Sequence, residues 1–186
     1  MKSRLILYTI CFALLALSAQ AQDRYLTREG KAKFYSHAPM EDIEAVNNNV
    51  LSIIDLSKGE VAVDMLIKNF EFPKKLMQEH FNENYMESTQ YPKSTFKGSF
   101  EVPEDLKEMK PGNYEVNVSG DITIHGITKP LSTKVNLVVE GQSIKTEFMF
   151  KVKVADHEIK IPNVVVKNIA EEVEVTCTFD YQPFKR

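Results

Sequence analysis

The chain has 186 residues, a formal net charge of −3 and only two cysteines. A mildly acidic protein lacks the basic clusters that nucleic-acid binding requires, so that class is set aside. The N-terminus reads as an export signal. Lys2 and Arg4 precede the apolar run Leu5–Leu17, about 13 residues, which suits a signal-peptide core and falls short of the roughly 20 needed to span a bilayer. Ala19-Gln20-Ala21 offers small residues for cleavage, so residues 1–21 are expected to be a signal peptide and 22–186 one domain. Cys11 lies mid-run behind bulky residues, which argues against lipidation. Loss of Lys2 and Arg4, and of no acid, takes the charge from −3 to −5. It also leaves Cys177 as the single thiol, so an internal disulfide is ruled out and a packed core must supply the stability. The expected location is the periplasm or the exterior.

The remaining chain is organised by alternation with a period of two. Ala32–His37 and Ala45–Leu56 alternate weakly and are predicted strands. Ser57-Lys58-Gly59 then leads into Val61, Val63, Met65 and Ile67, which face away from Glu60, Asp64 and Lys68. Pro73–Met86 breaks the pattern. Met77, Phe81 and Tyr85 fall at helical spacing, predicting a helix over about Lys74–His80 that Tyr91-Pro92 must terminate. Ser94–Val102 is a further strand, and Lys110-Pro111-Gly112-Asn113 a turn. Apolar residues then occupy the even positions of Tyr114–Ile124, the odd positions of Leu131–Val139, the even positions of Ile144–Val154 and the odd positions of Val173–Tyr181. Pro130 is expected at a strand start or edge. Asp156–Ile169 reads as a loop or short helix on the barrel. The sum is an all-β fold: an antiparallel barrel or sandwich of about eight strands with a short flanking helix.

Two stretches carry a resemblance. One is Glu79-His80-Phe81-Asn82-Glu83-Asn84-Tyr85-Met86 followed by Tyr91-Pro92-Lys93-Ser94-Thr95-Phe96. The other runs Gly120-Asp121-Ile122-Thr123-Ile124-His125-Gly126-Ile127-Thr128-Lys129-Pro130. In this order they resemble the YceI-like family, over roughly Lys31–Tyr181. The resemblance implies a lipocalin-like barrel that binds a polyisoprenoid or other long-chain amphiphilic lipid inside. It departs from that pattern around His37–Asn49.

The chemistry legible in the residues agrees with binding. Met77, Phe81, Tyr85 and Met86 supply adaptable or aromatic groups, and Phe96, Phe100, Phe148 and Phe150 supply aromatic walls. These eight are the predicted ligand-binding residues. Lys74, Lys75, His80 and Lys129 are candidates to meet a polar head. The expected partner is an isoprenoid or fatty-acyl lipid, with no integral membrane span, and a homodimer is compatible with this reading. The alternative is a filled barrel acting as a structural or stress-response interaction module. His37, His80, His125 and His157 lie on separate segments without the i, i+4 spacing of a helical zinc site, so no metal or other cofactor is expected. No Gly-x-Ser-x-Gly elbow occurs, and Cys177 falls on the apolar parity of its strand, so no catalytic residue is predicted.

Overall fold

The computed structural model describes residues 23–184; the expected signal segment, residues 1–21, lies outside them. Eight antiparallel strands close a barrel in simple sequence order: β1 (Arg24–His37), β2 (Asp42–Asp55), β3 (Glu60–Leu66), β4 (Lys93–Ser99), β5 (Gly112–Ile124), β6 (Ile127–Glu140), β7 (Ser143–Lys153) and β8 (Glu172–Pro183). β8 returns to pair with β1, from Lys31 opposite Thr178 to Tyr35 opposite Glu174. Closure leaves the barrel without free end strands and gives it an inside. The predicted parities hold. Val116, Val118 and Ile122 on β5, Val135, Leu137 and Val139 on β6, and Cys177, Phe179 and Tyr181 on β8 are all buried. None of the described helices is long and apolar enough to cross a membrane.

The connections differ at the two ends. The lower end holds the β2–β3 turn, the β4–β5 connection and the β6–β7 hairpin. The β4–β5 connection contains a four-residue helix, Glu104–Lys107, whose Leu106 is completely buried. This corrects the expected turn at 110–113: the left-handed residue is Met109, and Gly112 already begins β5. β4 likewise ends at Ser99, short of the predicted Val102. Leu56, Leu106, Tyr25 and Tyr181 pack this end solid. The upper end holds the β1–β2 hairpin, the long β3–β4 crossover, the β5–β6 hairpin and the β7–β8 loop. Within the crossover lies α1 (Lys75–His80), which continues as a wide π turn over Phe81–Tyr85.

One motif has a backbone reason. Gly120 on β5 stands opposite Gly98 on β4. A Cβ on Gly120 would collide with the Lys97 carbonyl oxygen and the Gly98 Cα, so the two strands can approach only because both positions lack side chains.

Asp55 closes the β2–β3 turn. It accepts from Arg24 Nε at 2.9 Å, from Ser57 Oγ at 2.5 Å and from the Ser57 backbone N–H at 3.1 Å. Burial pushes its carboxyl up, but the Ser57 and Arg24 hydrogen bonds and the Arg24 charge outweigh this, and the net shift is downward. A lowered folded value means the stabilisation is full above the ordinary aspartate range and is lost as pH falls through the folded value. Asp55→Asn is therefore expected to cost about 1–3 kcal/mol at pH 7. In urea titrations the gap from wild type should shrink as the pH drops below 4 (about the ordinary aspartate value); a pH-independent gap would contradict it.

Candidate functional site

The upper half of the barrel is not filled. A cavity of about 280 Å³ lies beneath α1 and the β7–β8 loop. A second, of about 70 Å³, lies deeper, and both share Met65, Ser94, Ile122 and Phe150 as wall. They adjoin across these four residues, and Tyr181 in the wall of the deep one hydrogen-bonds Ser52 at 2.7 Å. The barrel is thus filled below and hollow above.

All eight sequence-predicted residues line this interior. Met77, Phe81, Tyr85 and Met86 wall the upper chamber, Phe96, Phe100 and Phe148 the deep one, and Phe150 both. The sequence reading missed much of the upper wall. Phe34, Phe70 and Phe72 cluster on Phe81, with ring centroids 5.4, 5.6 and 5.0 Å from it. The Phe70-x-Phe72 pair just before Pro73 was the available signal; Phe34 sat in a strand with weak alternation. Ile159, Ile161 and Ile169 of the β7–β8 loop also face the chamber, so this segment roofs the cavity.

The polar groups of the wall are few and mostly engaged. Ser36 Oγ accepts from the Ala170 N–H at 2.9 Å, and Ser94 Oγ donates to the Thr123 carbonyl at 2.9 Å. Glu41 at the rim takes a hydrogen bond from Lys74 Nζ at 3.2 Å. Of the proposed head-group contacts, His80 lines the upper chamber and Lys74 stands at its rim through Glu41, whereas Lys75 and Lys129 are exposed and outside either wall. In the deep chamber Thr146 Oγ1 is buried without a protein partner. Burial pushes the Cys177 thiol up to about 12 and the Tyr181 hydroxyl higher still, so both stay protonated and neither is a nucleophile at neutral pH.

The two stretches that carry the resemblance meet at the roof. His125 and Gly126 form the tight β5–β6 turn, both with positive φ (51° and 75°). The Tyr91 ring lies 4.4 Å from the His125 ring and covers Gly126. His125 Nδ1 donates to the His157 carbonyl at 3.0 Å, and its Nε2 meets Glu87 Oε2 at 2.9 Å. His157 in turn donates through Nδ1 to the Ile127 carbonyl at 3.1 Å. These two histidines therefore tie the crossover, the hairpin and the β7–β8 loop together. Among the described residues, no three His, Cys, Asp or Glu side chains are grouped to hold a metal ion.

A closed meander barrel with a roofed apolar interior defines a lipocalin-like architecture. The YceI-like domain family matches residues 28–181, most of the chain, and the protein belongs to that family. No curated protein sequence matches it. Among solved structures it is similar to a polyisoprenoid binding domain from Saccharophagus degradans implicated in plant cell wall breakdown. That likeness has 15% identity and a TM-score of 0.74, covering 87% of this chain and 99% of that one. Burkholderia cenocepacia BcnA follows at 17% identity and TM-score 0.68, covering 81% and 95%. The Campylobacter jejuni YCEI protein gives 12% and 0.63, covering 80% and 90%. At these identities the likeness speaks for the fold.

Proposed function

We propose that the protein is an exported binding protein that holds a polyisoprenoid or another long-chain amphiphilic lipid inside the barrel, and that it is not an enzyme. The observation that carries this is the pair of adjoining apolar chambers, which share Met65, Ser94, Ile122 and Phe150 as wall. Each methylene buried there contributes about 0.8 kcal/mol, so ten give about 8 kcal/mol, the free energy of micromolar affinity before ordering costs. Few polar contacts are then needed, which suits a wall that is mostly apolar. His80 and the Glu41–Lys74 pair are the groups placed to meet a polar head at the rim. The lipid partner of a structural neighbour supports the class of ligand. The export part of the reading rests on Lys2, Arg4, Leu5–Leu17 and Ala19-Gln20-Ala21.

Organic extraction of the purified protein followed by mass spectrometry is expected to release a long-chain lipid. Protein that yields none, and that also fails to take up added polyprenyl lipids, would overturn the reading. N-terminal sequencing of protein recovered outside the cytoplasm is expected to start at Gln22.

A further inference from the structure

The barrel has an opening in its side. β6 and β7 pair only from Asn136 opposite Glu147 to Glu140 opposite Ser143, at their lower ends. Continuing that register upward would set Val135 against Phe148, Thr133 against Phe150 and Leu131 against Val152, but no ladder forms there. Above Asn136, β6 pairs with β5 alone, up to Ile127, and from Phe148 upward β7 pairs with β8 alone, up to Lys153. Pro130, which has no N–H to donate, stands on this stretch of β6. It was expected at a strand start or edge and proves to lie within β6, on an edge.

Other interrupted ladders are backed. The upper part of β2, beyond its pairing with β3, is bridged at Val46 by Glu71, and the lower part of β5, beyond β4, is served by the connection carrying buried Leu106. Between β6 and β7 a single side-chain bond, Thr133 Oγ1 to the Met149 carbonyl at 3.2 Å, crosses the lower part of the gap. The His157–Ile127 bond marks its upper limit. Along the gap, Leu131, Thr133, Phe148 and Phe150 are partly exposed although they line the cavity, while Val135 and Val152 at its two ends are buried.

We propose that this slot is a lateral portal, through which the apolar chain of a long amphiphile passes between solvent and the two chambers. The proposal rests on the lipid-binding reading above. Across the top of the barrel, α1 and the β7–β8 loop are tied down by Glu87–His125–His157 and by the Met40 N–H to the Lys167 carbonyl at 3.1 Å. Opening the roof breaks several bonds at once, whereas widening the slot breaks one. A peptide strand is a poorer occupant of the same edges, because Pro130 and the lysines Lys129, Lys134, Lys151 and Lys153 oppose strand pairing.

Ser132 and Lys151 are exposed and would face each other across the slot in the continued register. A Ser132→Cys/Lys151→Cys protein joined by a short bis-maleimide should bind a pyrene-labelled hexadecanoic acid at unchanged Kd, with uptake and release both slowed at least tenfold. A Met40→Cys/Leu76→Cys protein joined in the same way across the roof should keep wild-type rates. Binding at wild-type rates in the slot-linked protein, or slowing only in the roof-linked one, would overturn the portal while leaving lipid binding intact. Failure of the unmodified protein to bind the probe or polyprenyl lipids would instead sink the lipid reading and the portal with it. Hydrogen exchange gives a ligand-free check: alternate amides of 129–133 and 149–153 should exchange at least tenfold faster than those of 136–140 and 143–147, and equal protection would contradict the slot.

Discussion

Ile122→Trp is expected to abolish high-affinity lipid uptake while leaving the barrel folded. Ile122 is buried on β5 and borders both chambers, so an indole there takes up space at their shared wall and bars a chain from reaching both. A chain denied the deep chamber loses the burial of about four methylenes, roughly 3 kcal/mol, or about a hundredfold in Kd. The new ring enters existing space, so the stability cost should stay near the low end of the ~1–3 kcal/mol typical of overpacking. Fluorescence titration with a pyrene-labelled acyl chain, beside a urea unfolding curve, separates the two effects. Undiminished affinity in a folded Ile122→Trp protein would place the ligand outside the barrel.

The largest loss of stability is expected at the other end, with little effect on binding. Leu106→Ala should destabilise the protein by about 2–5 kcal/mol. A four-residue helix cannot hold itself, since helix nucleation is unfavourable at that length. The segment Glu104–Lys107 is positioned by the fully buried Leu106 side chain, which packs with the core that closes the lower end. Its surface pairs, Lys107 with Glu104 and Lys110 with Asp105, are solvent-exposed and contribute little. Urea unfolding at pH 7 measures the loss. A change below 1 kcal/mol would show that the lower end is closed by other groups (about the level of an ordinary surface substitution).

The strands were legible because each buried face repeats every second residue, and that rule needs no partner to be known. Val116, Val118 and Ile122 could be assigned inward from their own segment alone. The helix was legible from Met77, Phe81 and Tyr85, although its widening into a π turn was not. All eight predicted wall residues face the interior, helped by the resemblance as much as by parity. What escaped were features set by non-neighbouring segments. Phe34 gains its role from Phe70, Phe72 and Phe81, which fold over it from the crossover. The short helix at 104–107 reads locally as charged loop, and only the burial of Leu106 gives it purpose. The lateral gap depends on where two ladders stop; Pro130 hints at an edge without saying which neighbour is missing.

Cys177 keeps the deep chamber chemically quiet. It is the single free cysteine among the described residues, lies in the wall of that chamber, and burial holds its thiol protonated. An acyl or isoprenoid chain seated there would pack against an uncharged, weakly polar sulfur in place of a thiolate. A chain with reactive double bonds could therefore be stored beside this thiol without being attacked by it.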